Sequence, residues 1–488
     1  MIGPTIGGMD AMSPLDAAFL VLEDADAHAG LHIGSVGIFE GPVPSHESFL
    51  EGFSRKLSLV PRYRQRFQRV PFSLGPPVWV DDETFDINYH VRRTALPRGA
   101  DDAMLRRLVG RVMSQRLDRD KPMWEAWVVE GLPDGRWALL SKVHHCLVDG
   151  ISGTDALAVM LDLSAEAEWP PASDWVPRPA PSGARLAVEA VAHQLTEPLA
   201  LARATVRLVR APRSALRTSL VVGRGLAALG GATAPTDLTS LVGHAGSHRR
   251  YRFAAVPFAD VQSVRRQFGG TVNDVALAAV TAGFRELLES RGEHPTKHSV
   301  RTLVPVSTRT PGEESIRDNR VSALLLDLPV WLADPVEQLR AVQVRSAQLK
   351  TSGEADAGSW VTRLAQHLPF DALEPTLRTA FRLPQRSLTT VTTNVPGPPF
   401  PLYAFGCRML HAYPYVPIAD RLRVGVAMFS YNGEFSFGVT SDAETTPDAD
   451  VLIDGILRGL QALVDRTRTG RQRAPSVKKT AAPAAVAR

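Results

Sequence analysis

Residues 166–247 interrupt an otherwise regular alternation of strand-like and helix-like segments, and the interruption forces a two-part fold. Pro170, Pro171, Pro177, Pro179 and Pro181 open it, a density that helix interiors and central strands do not tolerate. Between Glu197 and Asp237 the chain carries no acid, while Arg203, Arg207, Arg210, Arg213, Arg217 and Arg224 recur at spacings of 4, 3, 3, 4 and 7. That recurrence follows one helical face, broken near Pro212, opposite Leu199, Val206, Leu208, Val209, Leu216 and Leu220. Such a stripe reads either as a solvated crossover helix or as a face that docks on anionic lipid. A chain of 488 residues also exceeds what one ordinary core organises. The expected division is an N-terminal α/β domain over 1–165, a Pro-rich linker with basic amphipathic crossover helices over 166–247, a C-terminal α/β domain over 248–465, and a disordered basic tail over 466–488.

Within the first part, Leu31–Phe39 alternates like a strand, while Phe49–Leu59 and Ala103–Leu117 have helical spacing. Trp124–Leu132 and Arg136–Val143 read as a hairpin around Pro133-Asp134-Gly135. Ser152-Gly153-Thr154-Asp155 looks like a capping box ahead of the stripe Ala156, Leu157, Val159, Met160 and Leu163. In the second part, Gly269-Gly270 leads into a helix expected over Val275–Glu289 and ending at Arg291-Gly292. Val300–Val306, Val321–Leu328 and Leu388–Thr393 are buried-strand candidates. Leu422–Tyr431 and Glu434–Thr440 join at Asn432-Gly433, a strong hairpin signal.

Composition excludes several classes. Hydrophobic content of 44% and charged content of 22% fit a globular chain, and no apolar run is long enough to cross a bilayer. Met1–Pro14 carries no basic residue, so no secretory signal is expected, and Met9 or Met12 are alternative starts. Cys146 and Cys407 make no disulfide framework and fit a reducing cytoplasm. The net charge of +4 becomes −3 once the seven basic residues of 466–488 are set aside, so it carries no nucleic-acid signal.

The chemistry concentrates in His144-His145-Cys146-Leu147-Val148-Asp149-Gly150, which follows the apolar run ending at Val143. Neighbours on an extended chain point to opposite faces, so one imidazole can meet a substrate while the other faces the interior. A histidine takes a proton from a hydroxyl and returns it to a leaving group near neutral pH. Asp149 is too weak a base for an alcohol at its ordinary pKa. A metal held by His144, His145 and Asp149 would need both imidazoles on one side of the strand, so none is expected. Gly-x-Ser-x-Gly, phosphate-loop and His-Glu-x-x-His patterns do not occur. Cys146 as a covalent nucleophile is disfavoured, because it points away from His145 on extended chain. An acyl-transfer oxyanion also needs donors. Asn273, with Asp274 beside it, stands in the first turn of its predicted helix, and Asn394 precedes Val395-Pro396-Gly397-Pro398. A helix cap for Asn273 and a turn position for Asn394 are the alternatives.

Further segments recur with the histidine motif in order. They are Ser13-Pro14-Leu15-Asp16, Pro61-Arg62-Tyr63-Arg64-Gln65-Arg66-Phe67, Phe85-Asp86-Ile87 with His90-Val91-Arg92, Pro122-Met123-Trp124-Glu125, Asn273-Asp274-Val275, Val304-Pro305-Val306-Ser307-Thr308-Arg309, Asn319-Arg320-Val321-Ser322, Thr393-Asn394-Val395-Pro396-Gly397-Pro398 and Ser430-Tyr431-Asn432-Gly433. With these, residues 12–465 resemble the bacterial wax ester synthase/acyl-CoA:diacylglycerol acyltransferase family, within the CoA-dependent acyltransferase superfamily that includes condensation domains.

The resemblance implies two chloramphenicol-acetyltransferase-like α/β domains with mixed sheets flanked by helices. It implies direct transfer from a long-chain acyl-CoA co-substrate, with no further cofactor, to diacylglycerol or a fatty alcohol. His145 would be the general base and His144 would order the loop. Asp149 would hold that loop through an arginine, for which Arg64 is the candidate, and Gly150 would give the turn its freedom. The expected place is the cytoplasm, with peripheral contact to an anionic membrane or a lipid droplet. A non-catalytic lipid- or carrier-binding protein of condensation-domain type is the reading from a different class.

Overall fold

The computed structural model describes residues 5–6, 8–150, 160–192, 235–307, 321–351, 370, 374–375, 377–379, 387–419 and 421–472, without the side chains of 148–150, 306–307, 321–323, 350–351 and 469–472. The first part runs β1 (Thr5–Ile6), β2 (Met9–Asp10), α1 (Pro14–Ala25), β3 (His32–Phe39), α2 (His46–Lys56), β4 (Gln65–Gln68), β5 (Val78–Asp81), α3 (Ile87–His90), β6 (Val91–Ala95), α4 (Asp102–Ser114), β7 (Trp124–Glu130) and β8 (Trp137–His144). After the linker come β9 (Arg249–Pro257), α5 (Phe258–Phe268), α6 (Val272–Ser290), β10 (Arg301–Ser307), β11 (Val321–Asp327) and α7 (Pro335–Thr351). The chain closes with β12 (Thr390–Pro396), β13 (Tyr403–Ala404), β14 (Cys407–Tyr415), β15 (Val424–Tyr431), β16 (Glu434–Asp442) and α8 (Ala449–Gln472).

Two six-stranded mixed sheets result, ordered β13-β14-β3-β8-β7-β6 and β11-β10-β12-β15-β16-β9. In the first, only β6 and β7 run parallel; in the second, β12 lies parallel to both β10 and β15. The fold is α/β, as the periodicities predict. β8 sits inside the first sheet and reads as a nearly unbroken apolar run because both its faces are covered. Trp137, Leu139 and Val143 pack with Phe49 and Phe53 of α2, while Ala138 and Leu140 pack with Val109, Val112 and Met113 of α4. A second core joins α5, α6 and α8 to the faces of β15 and β16.

Several boundaries differ from the sequence reading, each for a local reason. α6 starts at Val272 rather than Val275 because Thr271 and Asp274 form a capping box. The disordered tail does not begin at 466: α8 continues to Gln472, with Arg466 2.9 Å from Asp334 and Thr467 buried. The segment 403–415, which the sequence assigns to the second part, pairs into the first sheet, Tyr413 opposite Val36 and Tyr415 opposite Gly34. Tyr413 and Tyr415 then pack with Tyr251 and Phe253 of β9 and with α4 in one core shared by both parts. Strand partners are chosen by such tertiary packing, which a local pattern does not encode. The 432–433 turn forms as expected, with φ of 45° at Asn432 and 85° at Gly433, the backbone a two-residue hairpin requires. The helix expected from Ala156 and the basic recurrence Arg203–Arg224 fall mostly or wholly outside the described residues. Among the described residues no helix is long and apolar enough to cross a membrane.

Candidate active site

The motif hangs from both neighbours of β8. The His144 amide donates to Met123 O at 2.9 Å and the His145 amide to Leu31 O at 2.9 Å, after which the chain turns into a 3-10 segment, His145–Gly150. These alternating bonds fix the strand end to the chain entering β7 on one side and β3 on the other.

His144 is 1% exposed. Its Nδ1 accepts the Cys146 amide at 3.2 Å and lies 3.0 Å from Cys146 Sγ, so the ring hydrogen belongs on Nε2. Nε2 stands 3.3 Å from Oε1 of Glu23, on α1. That carboxylate also accepts the Leu31 amide at 2.6 Å and pairs with Arg119 at 2.7 Å. Burial alone would push the Glu23 carboxyl up, but His144, Arg119 and the Leu31 amide hold it well below the usual carboxylate range. Glu23 is the residue the sequence reading missed. No local pattern marks it, since it is one acid on an amphipathic helix.

His145 keeps partial exposure, unlike His144. Its ring lies 4.2 Å, centroid to centroid, from Phe19, one helical turn before Glu23 on α1. Burial first and the neighbouring His144 second pull His145 down to about 4. The ring is therefore neutral at pH 7, the form that accepts a proton. Cys146 is 2% exposed, and burial pushes its thiol well above the ordinary range, which excludes a ready thiolate.

Asp149 and Gly150 lie outside the described side chains, so the expected Asp149–Arg64 pair does too. Arg64 donates to Ser54 O at 3.0 Å and to Ser173 Oγ at 3.5 Å, with its guanidinium 5.0 Å over the Trp175 ring.

In the second sheet the fold brings Asn273 and Asn394 together across 121 positions, Nδ2 of Asn394 donating to Oδ1 of Asn273 at 3.3 Å. Neither takes its alternative reading. Thr271, not Asn273, caps α6, and Asn394 lies within β12 opposite Met428 rather than in a turn. Asp274 is committed to the cap, its Oδ2 accepting the Thr271 amide and hydroxyl at 2.8 Å each. This places Asp274 in a helix cap rather than with the other two candidates. Among the described residues no hydrogen bond links the asparagine pair to His144 or His145. None of the motif residues lines a surface cavity of about 440 Å³ between Glu40–Pro44 and Tyr403–Arg408. No described cluster of three His, Cys, Asp or Glu side chains is arranged for a metal.

Residues 12–276 match the wax ester synthase/diacylglycerol acyltransferase catalytic domain, and 318–464 match the C-terminal domain of the same family. The chain belongs to the wax ester synthase/diacylglycerol acyltransferase family. A relative named as the probable diacylglycerol O-acyltransferase tgs1 of Mycobacterium tuberculosis is 41% identical over 93% of this chain and 96% of its own length. A second protein of that organism, named as a putative diacylglycerol O-acyltransferase, is 33% identical over 93% of this chain and 91% of its own. Among solved structures, the wax ester synthase/diacylglycerol acyltransferase of Marinobacter aquaeolei VT8 superposes with a TM-score of 0.64 at 24% identity, covering 94% of this chain and 100% of that one. The first condensation domain of the calcium-dependent antibiotic synthetase gives 0.54 at 17% identity, over 94% and 96%. The fold is thus shared with condensation domains, and the motif of this family member lies at the end of an internal strand of its first sheet.

Proposed function

We propose that the chain transfers an acyl group from long-chain acyl-CoA to diacylglycerol, giving triacylglycerol and free CoA, with His145 as the general base. The observation that carries this reading is a neutral, partly exposed imidazole on a strand end fixed from both sides and backed by the Glu23–His144 pair. His145 takes the proton of the acceptor hydroxyl as its oxygen attacks the thioester carbonyl. The tetrahedral intermediate then collapses, the carbon–sulfur bond breaks, and the thiolate takes the proton back from the imidazolium. His144 holds the motif through Glu23, Asp149 holds the loop through an arginine with Arg64 as the candidate, Gly150 gives the turn its freedom, and Asn273 with Asn394 supplies donors to the oxyanion at the first turn of α6.

The names of the relatives support diacylglycerol as the acceptor. No cofactor beyond acyl-CoA is proposed. We further place the protein on the cytoplasmic side, touching anionic membrane or lipid droplets through the basic stripe Arg203–Arg224. Binding to anionic liposomes that fades at high salt supports that contact, and salt-independent binding contradicts it.

Labelled acyl-CoA offered with diacylglycerol or with a long-chain alcohol tests the reaction. Label entering triacylglycerol is expected. Label entering only wax ester would move the reading to the fatty alcohol, and label in neither would leave a binding protein.

A further inference from the structure

We infer that Lys142 and His32 are positioning residues for His145 and act through the last turn of α4. The inference rests on the base role proposed for His145. Lys142 stands two residues before His144 on β8 and is fully buried. Its Nζ donates to Val112 O at 2.9 Å and to Gln115 O at 2.5 Å. His32, opposite His144 in the β3–β8 register, donates Nε2–H to Met113 O at 2.7 Å. The two side chains thus occupy carbonyls at the C-terminal end of α4, the negative end of its dipole, where Val112 O has only the C-cap Gln115 amide at 3.3 Å as a backbone partner among the described residues.

The same turn is pressed between the two sheets. Gly34 lies opposite Lys142 in register, and a Cβ there would stand 2.5 Å from Met113 Cε and 2.2 Å from Ser141 O. On the far side a Cβ at Gly110 would stand 2.6 Å from Arg249 O. Ser114 Oγ accepts the Arg249 amide at 2.8 Å and donates to Gly110 O at 2.6 Å. Arg249 opens β9, and β9 connects through β16 and β15 to β12, which carries Asn394. One turn of helix, Gly110–Gln115, therefore touches the strand that ends in the histidines and the sheet that holds the asparagines. Apolar packing alone would not call for an ammonium here. Burial pulls Lys142 down to about 8, with Glu125 opposing, Arg92 adding and Glu23 opposing again, while its ammonium spends its hydrogen bonds on the two carbonyls.

The test compares wild type, H145A, K142M, S114A and K142M/S114A, measuring kcat, KM for acyl-CoA, and the folded fraction by circular dichroism. Loss of turnover in H145A alone decides the base role, whatever Lys142 does. A misplaced base lowers kcat without weakening thioester binding, so K142M should lose about tenfold or more in kcat per folded enzyme, with KM within about twofold. S114A, which removes one hydroxyl from the other side of the turn, should lose about threefold or more, and the double variant should lose less than the product of the two. A folded K142M with kcat within about twofold of wild type, an unaffected S114A, or losses that multiply would each overturn the inference.

Discussion

The histidine end of the first sheet and the asparagine pair of the second are held in opposite ways. His144 and His145 are contiguous in sequence, tied by backbone bonds to two elements and backed by a charged network of Glu23 and Arg119. Asn273 and Asn394 come from a helix start and a strand 121 positions apart, and one 3.3 Å amide contact joins them. The first arrangement holds the motif's rings in one orientation. The second leaves side-chain amides with hydrogen-bonding capacity to spare among the described residues, as groups that stabilise a transient oxyanion need. A base must be fixed before substrate arrives, whereas a donor pair gains its full strength only when negative charge develops beside it.

The largest effect should come from the fixed end. H145A is expected to lower kcat about 10²–10⁴-fold while lipid binding, followed by co-sedimentation, survives. N273A or N394A should each cost about 10²–10³ in kcat if they donate to the oxyanion, and steady-state kinetics on both singles and the double will show it. Because the two amides touch, their losses should fail to add, which separates a joint donor pair from two independent contacts.

Breaking the network behind the motif should affect stability first. E23A leaves the buried His144 ring and the Leu31 amide without their carboxylate, while Arg119 keeps Asp24, and should cost about 1–3 kcal/mol in urea denaturation. The Glu23 carboxyl is held below its ordinary range in the folded chain. Its contribution is therefore present above that range and is lost as the pH falls through it, so E23Q should flatten the acid side of the stability profile. The smallest effect belongs to C146S, which keeps a donor on His144 Nδ1 and should leave kcat within about twofold.

The contrast between the two ends also explains what was legible in the sequence. The histidine run announced its strand and its chemistry because an apolar stretch, a motif and a turn lie side by side. The 432–433 hairpin was readable for the same reason, since Asn-Gly meets a local demand for positive φ. Glu23 was not, because its meaning depends on α1 settling against the strand end. Nor was β14 readable as a member of the first sheet, since nothing in Cys407–Tyr415 names β3 as its partner. The meeting of Asn273 with Asn394 was also hidden, although each was a candidate alone. Composition misled at 466–472, where ion pairing and packing extend a helix into a basic stretch.

The central claim is that His145 waits as a neutral base, and the pH dependence of kcat/KM tests it most directly. With the ring at about 4, kcat/KM should stay level between roughly pH 5.5 and 7.5. A fall to about one-tenth by pH 5.5, the behaviour of an ordinary histidine titrating near 6.5, would contradict the account.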